Sequence, residues 1–230
     1  MDLLVGSTNP GKLRELRRLV AGLPVRVVSP EELGRPLPEV VEDGVTFRDN
    51  AVKKAVAHAR AAGLLALADD SGLCVDALGG APGVRSARWS VEDPGPASPA
   101  CALAGAGARE LGPEAERAAR DEANNDKLLS RLADVPEERR GAVYVAVLAL
   151  ARPDGSIAAV VEGRCRGRIA RARRGSGGFG YDPLFVPEVG AERTMAELES
   201  AEKDALSHRG AAFRQLRLAL EQLAFDKTGP

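Results

Sequence analysis

Apolar positions along the chain follow two rhythms. Short unbroken runs at Leu3-Leu4-Val5, Val25 to Val28 and Leu64 to Ala68 predict buried strands. Other stretches repeat at three- and four-residue intervals: Leu13, Leu16, Leu19 and Val20 behind Asn9-Pro10; Phe47, Ala51, Ala55, Ala59 and Ala62 behind Thr46; Phe213, Leu216, Leu220 and Leu223 behind Ser207. These predict helices, each opened by a capping side chain, with Pro10 suited to a first helical position. Asp121 to Ala133 predicts another helix, and Met195 to Leu198 a helical turn. Ala142 to Ala151 and Ile157 to Ile169 predict strands joined through a Pro153-Asp154-Gly155 hairpin turn, with Leu184-Phe185-Val186 as a short strand beyond them. Gly34 to Gly44, with its prolines and acids, predicts a loop. Leu64 to Ala68 ends in Asp69-Asp70-Ser71-Gly72, and Leu73 to Ala77 resumes as a strand before the turn Gly79-Gly80-Ala81-Pro82-Gly83. Strands mixed with helices, plus a hairpin, predict an α/β fold with a mixed sheet.

Composition narrows the function classes. A chain of 230 residues that is 44% hydrophobic can build one domain with a sizeable core, in one or two lobes. Residues 92–120, rich in Ala, Gly, Pro and charge, predict a mobile, partly helical surface insertion. With 32 Lys and Arg against 33 Asp and Glu, the balance argues against broad nucleic-acid binding but leaves room for a small basic phosphate site. Cys74, Cys101 and Cys165 are odd in number and lack metal-ligand spacing, which favours a reducing cytoplasm over a disulfide framework. Only His58 and His208 are present, so any metal must lean on oxygen ligands, which suits Mg²⁺. Neither a secretory signal nor a membrane-spanning apolar run is apparent, so no membrane partner is expected.

Several segments carry candidate chemistry. Ser7-Thr8-Asn9-Pro10-Gly11-Lys12 joins a strand to a helix start, where unpaired N–H groups and the helix dipole suit phosphate. Lys12 in the first turn opposes that dipole, and a nearby anion would relieve the conflict. An ordinary capped helix with an exposed lysine explains the segment equally well. Thr46 and Asp49 have capping-box spacing, Asp49 and Lys53 can pair four residues apart, and Asn50 and Lys54 share another face. The neighbouring carboxylates of Asp69 and Asp70 repel, which favours a bound cation or a raised pKa; a solvated turn is the competing reading. Gly175, Gly177, Gly178 and Gly180 allow close backbone approach to a ligand around Phe179 and Asp182, or simply a tight connection. His208 and Arg209 follow the cap Ser207 in a first turn that disfavours cations, with Lys203 just upstream.

Taken in order, Ser-Thr-Asn-Pro-Gly-Lys, Thr-Phe-Arg-Asp-Asn-Ala-Val-Lys-Lys-Ala, Ala-Asp-Asp-Ser-Gly-Leu, Gly-Gly-Ala-Pro-Gly-Val, Gly-Gly-Phe-Gly-Tyr-Asp-Pro and Ser-His-Arg-Gly strongly resemble the inosine triphosphate pyrophosphatase family, the bacterial XTP/dITP diphosphatases. The likeness runs from Leu3 to about Leu223. It implies an elongated mixed β-sheet flanked by helices, with two lobes and a central cleft that holds the substrate, so that 1–230 is one two-lobed catalytic domain. It implies a homodimer that hydrolyses ITP, dITP and XTP to the monophosphate and pyrophosphate with Mg²⁺. Carried over by motif, Ser7, Thr8, Asn9, Lys12 and Lys54 contact phosphate. Glu42, Asp69 and Asp70 form the metal site, Asp70 is the general base, and Ser71 touches substrate. Phe179, Gly180, Tyr181 and Asp182 form the base pocket, and Lys203, His208 and Arg209 grip the base and the phosphate end.

Three departures from that pattern stand out. Asp49 occupies a position where the family usually has Glu, one methylene longer. Residues 92–120 exceed the family's usual connection, and Cys165 stands where some relatives place an aromatic. The competing function classes are a pyrophosphatase for modified pyrimidine nucleotides, a nucleotide sensor without turnover and, least favoured, a nucleic-acid-binding module.

Overall fold

A computed structural model describes residues 1–92, 112–190 and 192–226. Six strands, β1 (Asp2–Val5), β2 (Arg26–Val28), β3 (Leu65–Val75), β4 (Gly141–Ala151), β5 (Ile157–Ile169) and β6 (Phe185–Pro187), form one sheet in the order β2-β1-β3-β4-β5-β6. β1 pairs parallel with β2 and β3, and β5 pairs antiparallel with β6, so the sheet is mixed as expected. The helices are α1 (Pro10–Leu19), α2 (Phe47–Ala62), a single turn α3 (Trp89–Glu92), α4 (Pro113–Arg131), α5 (Ser200–Leu206) and α6 (His208–Asp226). Among the described residues no helix is long and apolar enough to cross a membrane.

The chain divides into two compact units. The first holds Met1–Ser71, Val145–Arg164 and Ser207–Pro230; the second holds Gly72–Tyr144 and Cys165–Leu206.

In the first unit, α1 begins as its sequence dictates. Asn9 caps it by accepting from the N–H groups of Gly11 (2.9 Å) and Lys12 (3.3 Å), and Pro10 occupies the first turn. α2 opens with a capping box in which Thr46 and Asp49 bond reciprocally, and Gly63 ends it at φ +66°. Two core clusters lie on the two faces of β1 and β3. Leu65 and Leu67 of β3 pack with Leu13 and Leu16 of α1 and with Phe213 and Leu216 of α6. Ala66 and Ala68 pack instead with Ala51, Ala55 and Ala59 of α2. The strand's period of two thus assigns odd positions to the α1 and α6 side and even positions to the α2 side.

The second unit closes around Leu73, Val75, Trp89, Leu128, Leu132, Tyr144, Tyr181 and Phe185. Cys165 belongs to the same cluster, and burial pushes its thiol up to about 11. It therefore serves as a small core residue. Arg140 is 2% exposed and donates to backbone carbonyls, those of Ile169 (2.8 Å), Leu132 (2.6 Å) and Ala170 (3.1 Å). It ties the end of α4 to the end of β5. Arg140→Ala should cost about 3 kcal/mol or more, since several buried carbonyls lose their donor at once; urea unfolding of the variant measures it.

Three sequence expectations are corrected. β3 is unbroken from Leu65 to Val75, so Asp69-Asp70-Ser71 lies within a strand and not in a turn. α4 starts at Pro113, eight residues before the expected Asp121, because its exposed first turns carry no apolar stripe. α5 was not anticipated, being short and polar. Most of the expected insertion, residues 93–111, lies outside the described residues.

Candidate active site

The alternation along β3 decides what its two acids meet. Both Asp69 and Asp70 are 5% exposed. As neighbours on a strand they point to opposite faces, so each has its own set of partners rather than one shared cation.

Asp70, at an even position, faces α2. Lys54 donates to its Oδ1 at 3.1 Å, and Asn50 donates to its Oδ2 at 3.2 Å. Lys54 also donates to Glu42 Oε1 at 3.0 Å, so one ammonium joins both carboxylates. Asn50, fully buried, accepts in turn from the N–H of Gly44 at 2.8 Å and so fixes the loop that carries Glu42. Burial raises the Asp70 carboxyl above its ordinary value despite Lys54 and Lys12. Burial works against the Lys54 ammonium, yet Asp70 and then Glu42 keep it above its usual value.

Asp69, at an odd position, faces α1 and α6. Its Oδ1 receives Lys12 and the Ser71 hydroxyl (2.9 Å), and its Oδ2 receives Arg209 Nε at 2.8 Å. Arg209 is 2% exposed and also donates to Glu15 and, at 3.0 Å, to Ser71 Oγ. Burial alone would raise the Asp69 carboxyl, but Arg209 and Lys12 hold it well below the carboxylate range. Asp69 is thus a permanent anion with both oxygens committed to cations and a hydroxyl. Asp70 is a carboxylate of elevated basicity.

The segment before α1 is the capped helix start that Asn9-Pro10 predicts, with Lys12 partly buried rather than exposed. The first-turn N–H groups of Gly11 and Lys12 are taken by Asn9, and Asn9 N–H donates to Ser7 Oγ at 3.2 Å. The anion that relieves Lys12 is Asp69. Thr8 is exposed. Lys53 pairs with Asp43 at 2.7 Å rather than with Asp49, whose carboxylate is spent on the Thr46 cap. Shortening Glu to Asp at position 49 therefore bears on a helix end.

In the second unit, the glycine-rich segment folds around Asp182. Asp182 Oδ2 accepts from the Phe179 N–H at 2.8 Å and from Lys203 Nζ at 2.6 Å. The Lys203 ammonium also lies 4.9 Å from the centre of the Phe179 ring, a cation–π contact. Gly178 makes this fold possible: it sits at φ +75°, and a Cβ there would lie 2.1 Å from Asp182 Oδ2. Tyr181 is buried, and its hydroxyl donates to Ser86 O at 2.9 Å, which makes it part of the core. Back in the first unit, His208 opens α6 and is buried; a Cβ on Gly163 would lie 2.1 Å from its carbonyl oxygen, so β5 passes tightly there.

A model of the Ham1 family matches residues 3–219. The chain belongs to the Ham1 family. A Ham1-family relative from Anaeromyxobacter sp. (strain Fw109-5), named dITP/XTP pyrophosphatase, is 72% identical over 226 residues, covering 97% of this chain and 98% of its own. Two solved structures are similar in fold. A HAM1 protein from Coxiella burnetii matches with TM-score 0.74 and 33% identity, over 96% of this chain and 99% of its own. A nucleoside-triphosphatase, dITP/XTP pyrophosphatase, from Mycobacterium abscessus matches with TM-score 0.65 and 46% identity, over 94% and 98%.

Two further residues of this Ham1-family chain join the site, Asn50 and Glu15. Asn50 carries a usable signal, its four-residue spacing to Lys54. Glu15 lies three residues after Lys12 on α1 and is 4% exposed, but nothing local marks a buried acid on an otherwise ordinary helix.

Proposed function

We propose that the chain hydrolyses deaminated purine nucleoside triphosphates (ITP, dITP and XTP) to the monophosphate and pyrophosphate, and so clears them from the nucleotide pool. The observation that carries the reading is Asp70: a buried carboxylate of raised basicity, oriented by Asn50 and Lys54. Such a group is suited to take a proton from water. That water attacks the α-phosphorus, the bond from the α-phosphorus to the bridging oxygen breaks, and pyrophosphate leaves with the electron pair. Lys12 and Lys54 bring positive charge to a reaction in which negative charge grows on the leaving group.

The donor set suits Mg²⁺ in a limited way. Among the described residues no group of three or more His, Cys, Asp or Glu is gathered for a metal. Glu42 and Asp70 converge on one ammonium, and two carboxylates completed by phosphate and water oxygens are a usual Mg²⁺ environment. We assign Glu42 and Asp70 as the residues that would hold it, and Asp69 as the anchor for Lys12 and Arg209. Bound Mg²⁺ would supply charge neutralisation for the phosphates.

Phe179 offers a face for a flat base, with Asp182 and Lys203 as its polar neighbours. A carbonyl at C6 of hypoxanthine or xanthine rewards a hydrogen-bond donor that adenine would leave unpaired. Lys203 stands beside Phe179, and the family resemblance adds His208 and Arg209 as candidate donors. A homodimer is the assembly that the family resemblance supports, and the cysteine pattern favours the cytoplasm.

The test is a turnover panel of dITP, XTP, dATP, dGTP and a modified pyrimidine triphosphate, with Mg²⁺ and with EDTA, identifying products. Release of pyrophosphate from dITP and XTP is expected to exceed that from dATP by at least about a hundredfold, the discrimination an unpaired buried donor provides, and to vanish in EDTA. Preference for the pyrimidine, or binding of dITP without turnover, would contradict the reading.

A further inference from the structure

The polar face of α4 has no role in the proposed chemistry, yet it is buried. Asn124 and Asn125 are 2% and 1% exposed, and Lys127 is buried with them. Polar side chains cost stability at such positions unless they are bonded, and apolar residues are the ordinary choice. Their bonds go to loops. Asn124 donates to Ser86 O (3.2 Å) and accepts from Ser90 N (2.8 Å), while Lys127 donates to Trp89 O at 2.8 Å.

Asp121 and Asn125, one helical turn apart, both address one residue. Gly180 N–H donates to Asp121 Oδ2 at 2.9 Å, and Asn125 Nδ2 donates to Gly180 O at 2.9 Å. Both backbone hydrogen-bonding groups of Gly180 are therefore held by α4. Gly180 sits at φ +63°, between Phe179 and Tyr181. The same helix holds the start of the loop, where Arg173 donates to Asp126 at 2.8 Å and to Glu122 O at 3.1 Å. Among the described residues, Asn125 Oδ1 finds no hydrogen-bond partner. A half-satisfied buried amide is a poor device for stability alone, which favours a role in placing the loop.

We propose that Asp121 and Asn125 are positioning residues that clamp the Gly180 backbone and so set the pose of Phe179 and Asp182 for the nucleobase. This rests on the reading above that Phe179 and Asp182 receive the base. Neither residue touches the triphosphate or the water in that reading. Loosening the clamp weakens base binding in the ground state and transition state alike, which raises KM and leaves kcat in place.

The experiment measures KM and kcat for dITP, and the inhibition constant of inorganic tripolyphosphate, in Asn125→Ala, Asp121→Ala, Asp121→Asn and Phe179→Ala. Asp121 is partly exposed, so its variants keep the test open if Asn125→Ala does not fold. Asn125→Ala and Asp121→Ala are expected to raise KM about tenfold, the worth of one buried hydrogen bond, with kcat and the tripolyphosphate constant changed less than about twofold. Asp121→Asn should restore most of the loss, because an amide oxygen still accepts from the Gly180 N–H. An unchanged KM in both alanine variants, or a tripolyphosphate constant that rises in step with KM, overturns the proposal. If Phe179→Ala raises KM and the α4 variants do not, only the clamp is refuted. If Phe179→Ala itself leaves KM unchanged, the base-site reading falls and the clamp with it.

Discussion

Asp70→Asn should lower pyrophosphate release from dITP by about a thousandfold, within the range that a positioned general base contributes. The protein should remain folded. The amide oxygen can still accept from Lys54, which also keeps Glu42, and the amide nitrogen facing Asn50 costs about one hydrogen bond, roughly 1 kcal/mol. Binding of dITP in the absence of Mg²⁺ should persist, because Lys12, Lys54 and the base-facing residues are untouched. The check is a stopped-time pyrophosphate assay beside a thermal melt and a dITP binding titration. Turnover within about tenfold of the parent would remove Asp70 from the role of base, since general-base losses run to 10² and above.

The second large effect belongs to stability. Arg209→Met should destabilise the fold by about 3–5 kcal/mol, the usual result of removing one partner from a buried ion cluster. Arg209 is the junction of Glu15, Asp69 and Ser71, and a methionine of similar length supplies none of those donors. The loss should depend on pH with a definite sign. In the parent protein the Asp69 carboxyl is held low, against burial, by Arg209 and then Lys12. A depressed folded value means its stabilisation is complete above the unfolded value of about 3.9 and drains away only as pH falls below it. Removing Arg209 takes away the larger opposing charge, so the variant's Asp69 moves upward and has less to lose in acid. The stability gap between parent and variant is therefore widest near neutrality and narrows below about pH 4. Urea unfolding at several pH values reads this directly; a gap that widens in acid would show that Arg209 does not hold Asp69 low.

Much of the architecture is legible from local chemistry. Asn9-Pro10 starts α1, the Thr46–Asp49 box starts α2, and Ser207 precedes α6 with its Oγ accepting from Gly210 N–H at 3.0 Å. In each case the signal is a cap plus an apolar stripe, both local. Asp69-Asp70-Ser71-Gly72 misleads because Asp, Ser and Gly are turn formers by propensity. Here propensity is overridden by cations from Lys12, Lys54 and Arg209, which are distant in sequence and compensate two buried acids inside β3. The early start of α4 is hidden for the opposite reason: residues 113 to 120 are mostly exposed and carry no apolar periodicity.

Candidate residues are legible one by one in the sequence, and their grouping is not. Lys54, Glu42 and Asp70 come together, as do Lys12, Asp69, Ser71 and Arg209, yet the carboxylate pair reads from sequence as one unit. The pleat separates them, and only knowledge that the segment is a strand makes that visible. Once separated, the two acids differ in kind: one is locked between cations, the other is left basic. Arg209 belongs to the Ser-His-Arg-Gly motif, and its bonds add a role that the motif does not reveal, the anchoring of Asp69.

The account turns on water attacking the α-phosphorus with Asp70 taking its proton. Hydrolysis of dITP in ¹⁸O-enriched water, followed by ³¹P NMR of both products, tests that step. The label should appear in the monophosphate and be absent from pyrophosphate. Label in pyrophosphate, or release of labelled orthophosphate, would place the attack at another phosphorus and contradict the mechanism.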